Sequence, residues 1–327
     1  MALDYAKPFL TIAEQVALIA RRGMHVADAD EAGHYLRHEG YYRLGSYLHP
    51  FRQVNPATGQ WLDTYVPTAR FSDVIRLYEY DKWLRIVMLS GLRAIEISVR
   101  VAIAHHLGAR DIFAHENPRC LNGAFTTQES SRRGKTQYQA WLDKYHLLLA
   151  RDDQEDIVRQ FIAKYGQRIP IWVAIELWDF GLLTRFFGGM KFADQQSVSR
   201  HYGVEEPHLF ASWLRSFNYV RNVCAHHSRL WNRNIVEQPR LVTKHPDPLL
   251  RHLTERGVKA PGSRVYATLA LATFVLRRMN YRGSWGGDAV QLLEKFPSCE
   301  SLSPGMMGIP NGWRAFPLWK LPERGPT

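Results

Sequence analysis

Phe210-Ala211-Ser212-Trp213-Leu214-Arg215-Ser216-Phe217-Asn218-Tyr219-Val220-Arg221-Asn222-Val223-Cys224-Ala225-His226-His227-Ser228-Arg229-Leu230-Trp231-Asn232-Arg233 is the stretch around which the chain is organised. Phe210 to Ala225 reads as a helix whose Trp213, Leu214, Phe217, Tyr219, Val220 and Cys224 demand burial. A helix this apolar has to be packed, so the polar stripe with Asn222 faces a cleft or a partner. Asn222 and His226 are four residues apart and share a face, whereas Arg221 lies about 140° from His226 and reaches the same groove only through its long side chain. Arginine, asparagine and histidine together supply a fixed cation, a polar orienter and a group that titrates near neutrality. That set suits phosphate chemistry without a metal. The structural alternative is a cation and a histidine that merely favour a helix C-terminus.

Outward from this stretch, composition sets the bounds. The 327 residues carry a formal charge of +11 and are 46% hydrophobic, which allows one large or two modest domains with a real core. A strongly basic balance favours polyanionic partners. Cys120, Cys224 and Cys299 are odd in number and widely spaced, so they form neither a disulfide framework nor a zinc site. No signal-peptide pattern opens the chain, and the longest apolar run, Val265 to Leu276, is too short to span a bilayer. A cytoplasmic protein with no membrane association and no cofactor is expected.

The block Arg221 to Arg233 resembles the signature of the AbiD/AbiF-like abortive infection proteins, members of the HEPN superfamily with its R-x4-6-H motif. Further segments share the resemblance: Gly40-Tyr41-Tyr42-Arg43-Leu44, Leu77-Tyr78 with Asp81, Leu92-Arg93-Ala94-Ile95-Glu96 with Arg100, Pro170-Ile171-Trp172 with Glu176, Phe180-Gly181, and Met307-Gly308 with Trp313. It is therefore nearly full-length. It implies an all-α, HEPN-like helical bundle with N- and C-terminal helical extensions, divided at residues 1–66, 67–236 and 237–327. It also implies a ribonuclease in anti-phage defence, often a toxin held in check by an antitoxin, a homodimer that brings two motifs together, and RNA as substrate. An inhibitory RNA, a protein inhibitor and conformational gating all stay open as the means of restraint. Some such toxins carry a modifiable tyrosine two residues after the histidine; Ser228 stands there here.

Along the chain, Thr11-Ile12-Ala13-Glu14 is a capping box, and Gly23 stops that first helix. A second helix is expected from about residue 30 to 38. Tyr41, Tyr42, Tyr47, His49 and Phe51 alternate with Arg37, Arg43 and Arg52, a mixture that either packs a small helical unit or contacts RNA. Asn55 to Gln60 forms a turn, read as the tip of a short hairpin. Ser72 to His106 is helical, with a break expected near Gly91. Asp81 falls on its apolar stripe and Glu96 beside it, and a carboxylate there needs a partner. Glu96 either pairs with Arg100 at i,i+4 or orients Arg221 or His226 across the bundle. Ser131-Arg132-Arg133-Gly134-Lys135 is a basic connector or a substrate-contacting loop. Helices are expected again from Tyr138, from Asp152 to Tyr165, and from Pro170 to a stop at Gly181, with Glu176 either paired to an arginine or part of the site. Two more follow at about Arg264 to Asn280 and Asp288 to Phe296, before an irregular wrap.

RNA carries its own nucleophile, the 2′-hydroxyl. Its cleavage needs a base, an acid and a cation for the crowded phosphorane. The expected catalytic residues are Arg221, His226 and Asn222, supported by Glu96, Arg100, Glu176 and the neighbouring His227, which also fits the superfamily spacing. Arg229, Arg233, Arg43, Arg132 and Arg133 are the expected RNA contacts. No H-E-x-x-H, CxxC or carboxylate cluster points to a metal, and no glycine loop or serine elbow points to other hydrolases. The competing reading is a helical module of a toxin–antitoxin or defence system that binds RNA or protein without catalysis.

Overall fold

A computed structural model describes residues 8–130, 134–151, 156–254 and 261–320. Among these the chain is all-α, with thirteen α-helices and two short hairpins. Helix α1 (Ile12–Arg21) opens on the reciprocal Thr11–Glu14 capping box, and the chain leaves it through Gly23 at φ 97°. Helices α2 (Ala29–Glu39) and α3 (Tyr41–Leu48) follow. Strands β1 (Arg52–Val54) and β2 (Trp61–Tyr65) pair antiparallel around the turn at residues 55–60.

Helix α4 (Phe71–Gly108) runs for 38 residues without interruption, roughly 57 Å, and is the axle of the fold. The break expected at Gly91 does not occur. The indole of Trp285 lies across that position, donating from Nε1 to the Val87 carbonyl at 2.6 Å, and a Cβ at residue 91 would overlap its ring. Gly91 thus allows a close approach within an intact helix.

Next come α5 (Gly123–Thr127), the two-residue strands β3 (Glu129–Ser130) and β4 (Lys135–Thr136), α6 (Gln137–Leu149) and α7 (Asp156–Tyr165). The expected start of that last helix at Asp152, like Arg132 and Arg133, lies outside the described residues. The helix expected from Pro170 to Gly181 is two elements. Helix α8 (Ile171–Ala174) runs into a 3-10 turn and ends, and α9 (Phe180–Gly189) starts afresh. Asp179 N-caps α9 by accepting from the Leu182 N–H at 2.6 Å, so Gly181 sits in a first turn and is no stop. Helices α10 (Phe192–His201), α11 (Pro207–Ala225), α12 (Val265–Arg278) and α13 (Trp285–Glu294) complete the set.

Helix α4 packs against α3, α8, α9, α10, α11, α12 and α13, which explains its long buried stripe from Val74 to Leu107. Every residue of α12 from Val265 to Leu276 is buried, the mark of a central helix rather than a surface one. The wrap after α13 is tied to it: the Arg277 guanidinium donates to the carbonyls of Leu318 at 2.7 Å and Lys320 at 3.0 Å. No helix among the described residues is long and apolar enough to cross a membrane.

Candidate functional site

Helix α11 begins at Pro207, which has no amide hydrogen to lose at a first helical position. Leu209, Phe210, Trp213, Leu214, Phe217, Val220, Val223 and Cys224 are buried, and the helix lies against α4 and α9. Its remaining face carries Asn218, Arg221, Asn222 and Ala225. His226, the C-cap residue, and His227 are exposed. Burial pushes the Cys224 thiol up to about 12, so this neighbour of the motif offers no thiolate.

The helix ends in a Schellman turn. Ser228 N–H donates to the Val223 carbonyl and His227 N–H to the Cys224 carbonyl, both at 3.0 Å, with His227 itself at φ 53°. A left-handed residue that is not glycine must be held, at a cost of roughly 1–2 kcal/mol. The hold is visible. Arg43 Nη1 donates to the His227 carbonyl at 2.9 Å, and Arg229 Nη1 donates to the Ser46 carbonyl at 2.9 Å, so the turn is clamped to α3 by one bond in each direction. Arg233 Nε closes onto the Arg229 carbonyl at 2.9 Å, and Arg264 onto the Asn232 carbonyl at 2.6 Å. Burial lowers the proton affinity of the Arg229 guanidinium.

Asp81 on α4 fastens the same loop from beneath. Its fully buried carboxylate accepts from Trp231 N–H at 2.7 Å, Leu230 N–H at 3.2 Å and the Tyr47 hydroxyl at 2.6 Å, and pairs with Arg85. Burial raises the proton affinity of that carboxyl, while Arg85, the hydroxyl and the two amides oppose the rise. The apolar stripe of α4 marks Asp81 as in need of a partner, but its debt to a loop 150 residues away leaves no trace in local pattern.

Beside the C-terminal end of α11 opens a cleft of about 620 Å³, lined by Ser90, Arg93, Glu96, Arg100, Glu176, Arg221 and Ala225 among others. Glu96, only 6% exposed, forms its floor and accepts from Arg100 Nη2 at 2.6 Å, with Arg221 Nε at 3.8 Å. Burial raises the Glu96 carboxyl above the ordinary range, against Arg100 and Arg221. The local Arg100 pair and the reach across to Arg221 thus coexist on one carboxylate. Arg100 is held further by the Trp178 carbonyl at 2.6 Å and by Glu176 at 3.5 Å. The Glu176 side chain is half exposed, so this charge is not a buried one. Asn222 accepts from Arg221 Nη1 at 3.3 Å and donates to Asn218 at 3.4 Å, which ties it to the arginine.

The structure therefore gathers Arg221, Asn222, Glu96, Arg100 and Glu176 in or at one cleft, with His226 following directly on its lining residue Ala225. Arg43, Arg229 and Arg233 lie around the post-helix turn. Arg93, exposed in the cleft, was not singled out from sequence as a site residue, although it stands within the Leu92-Arg93-Ala94-Ile95-Glu96 block. Three guanidiniums against two carboxylates leave the cleft cationic. Among the described residues no group of three or more histidines, cysteines or acids is placed to hold a metal.

A model of the Abi-like protein family matches residues 34–232, more than half of the chain. The chain belongs to the Abi-like family. The matched span runs from α2 through the motif turn, so it takes in α3, Asp81, the cleft and the Schellman loop together. Membership in the Abi-like family points to a role in abortive infection. No curated protein and no solved structure matches the chain.

Proposed function

We propose that this Abi-like protein is a metal-independent endoribonuclease of the HEPN type, an abortive-infection effector that cleaves RNA at a composite site in a homodimer. The observation that carries this reading is the cationic cleft in which Glu96 holds Arg221, with the exposed His226 next in the chain to its lining residue Ala225. A phosphodiester seated there meets Arg221, which grips its non-bridging oxygens and stabilises the charge that develops on them. His226 takes the proton of the 2′-hydroxyl, whose oxygen attacks phosphorus. The bond to the 5′-oxygen breaks, and that oxygen takes a proton from an acid on the opposite side. The products are a 2′,3′-cyclic phosphate and a free 5′-hydroxyl.

One His226 cannot stand on both sides of the phosphate. A two-fold axis brings identical surfaces together, and a second copy across the cleft supplies the acid. The exposed side of α4 beside this cleft carries a mixed stripe in which Ile86, 58% exposed, and Ile97, 41% exposed, flank the exposed Ser90 and Arg93. That stripe is the seam we assign to the dimer. The exposure of His226 also suits a non-catalytic module that grips RNA or a protein through its cations.

The deciding experiment compares wild type with Arg221→Ala and His226→Ala on labelled RNA, with DNA of the same sequence as control. Wild type should cut RNA alone, in the presence of chelator, and leave cyclic phosphate ends. Cleavage by both variants at the wild-type rate would remove the ribonuclease and leave the binding module.

A further inference from the structure

A second concavity adjoins the cleft, and nothing in the cleavage scheme uses it. It encloses about 390 Å³ and is lined by Val101, Ala104, His105, Gly108, Trp172 and Glu176 among others. That is the low end of the range for sites that take small organic groups, and it has their make-up of apolar walls with a few polar atoms. Glu176 lines both spaces, so it stands at the partition between the cationic cleft and the apolar nook.

Two features make the nook a shelf for a flat ring. Trp172 is 49% exposed, although Ile171, Ala174 and Ile175 around it are buried. The indole lies against α4 where residue 108 has no side chain: a Cβ there would come within 3.2 Å of Trp172 Cε3 and 3.3 Å of Cζ3. Small residues Ala104, Gly108 and Ala109 thus form a floor, and the half-exposed indole forms a wall. At the edge, Glu176 accepts from Arg100 through Oε2 at 3.5 Å, a long contact, and its side chain is half exposed. An ionised carboxylate is acceptor-only and can take two donors side by side.

We propose that this nook is a nucleobase subsite that selects guanine next to the phosphate held in the cleft. The proposal rests on the reading of the cleft as an RNA site. Guanine alone among the four bases presents an N1–H and an amino group side by side on its Watson–Crick edge, which match the two oxygens of one carboxylate. Adenine and cytosine offer an amino group beside an acceptor, and uracil a single N–H between two acceptors. The indole supplies stacking, which is indifferent to sequence, and Glu176 supplies the choice. Glu176 borders both spaces, so a base in the nook and its own phosphate in the cleft fit one nucleotide chain passing this side chain.

The test uses full-length protein and 2′-O-methyl pentamers of uridine whose central position is guanine, adenine, cytosine or abasic; the methyl group removes the nucleophile. Affinity should be highest for the guanine pentamer and lowest for the abasic one. Trp172→Ala should weaken the guanine pentamer by about 5- to 150-fold and leave the abasic one little changed. Gly108→Ala, which displaces the indole without removing it, should act in the same direction more weakly. Glu176→Gln should reduce the preference for guanine over adenine, and Arg221→Ala should weaken all four pentamers alike. If Trp172→Ala keeps the wild-type ranking and ratios while the protein still cleaves RNA, the nook is not a base subsite and the ribonuclease reading survives. If wild type neither binds the pentamers nor cleaves RNA, both readings fall. If Trp172→Ala instead converts a dimer to monomers in sedimentation with the base preference intact, this face is a contact between copies and the subsite is overturned.

Discussion

Asp81 and Glu96 stand on the same helix, are both buried, and are each paired with the arginine four residues on. The resemblance ends at their other partners. Asp81 is closed on every side, by a tyrosine hydroxyl, a guanidinium and two backbone amides. Glu96 opens on a cleft and holds Arg221 at 3.8 Å, too far for a hydrogen bond and near enough for attraction. A carboxylate whose acceptor sites are filled by its own fold is a fastening. One that leaves a neighbouring cation exposed to solvent is a device for presenting that cation. The two should therefore fail differently when removed.

The largest expected effect is at the fastening. Asp81→Ala strands Arg85 and frees two buried amides, and the loss of one partner of a buried pair costs about 3–5 kcal/mol. Urea unfolding should show a loss of unfolding free energy of that size, with any loss of activity following the loss of folded protein. A change below about 1 kcal/mol would erase the distinction drawn between the two carboxylates.

At the cleft the effect should be similar in size but kinetic. Arg221→Ala removes the cation aimed at the phosphate, which is expected to lower kcat by about 10²- to 10³-fold with the unfolding midpoint unchanged. Glu96→Gln should give a smaller drop of the same kind, because Asn222 still accepts from the Arg221 guanidinium. A midpoint shift for Arg221→Ala as large as that of Asp81→Ala would show that the cleft, too, is structural.

The contrast extends to histidines. His115 and His252 are buried, and burial lowers each to about 4. A histidine held below its unfolded value of 6.5 stays neutral in the folded protein while the unfolded chain takes up the proton. Its stabilisation is whole above about pH 6.5 and is lost as pH falls toward 4, at most on the order of 3 kcal/mol for each. Thermal midpoints from pH 7 to 4.5 should fall for wild type. They should fall less for His252→Phe, which keeps the stack on Phe316. An equal acid slope in that variant would clear His252 of the effect.

How far these roles were legible follows from the reach of each interaction. Helix α1, the span of α11 and its end at Ala225 were readable because caps, periodicity and stop signals act within a few residues. Gly91 and Gly181 misled for the same reason: a glycine reads as a break unless the distant Trp285 or the adjacent Asp179 cap is known. The polar stripe of an apolar helix pointed Arg221 and Asn222 toward a cleft. For Glu96 the reach to Arg221 stayed one of two readings beside the local Arg100 pair, because nothing within a helix shows what crosses to it from another. Arg43 and Arg229 read only as RNA contacts, since nothing local reveals that the carbonyls of His227 and Ser46 also lie within their reach. Trp172 and Glu176 stood out as members of a resembling segment; the nook they border was hidden, because it joins residues on two helices through a glycine and an exposed indole.

The smallest expected effect bears on the two adjacent histidines, which sequence spacing leaves equivalent and the backbone does not. His226 caps the helix at φ −88°, an ordinary conformation, and its exposed side chain is spare for chemistry. His227 occupies the left-handed position of the Schellman turn, where glycine is the usual choice. His227→Gly should relieve the strain of that position and lose some of the gain to the greater freedom of glycine in the unfolded chain. The net is a stabilisation of about 0.5–1 kcal/mol, or about 1–2 °C in the thermal midpoint. The turn and its clamp by Arg43 use only the backbone of residue 227, so the helix end stays where it is. RNA cleavage by His227→Gly should then equal wild type while His226→Ala has none. A more stable His227→Gly protein that no longer cleaves would transfer the proton to His227 and show that the strained residue, not its relaxed neighbour, carries the reaction.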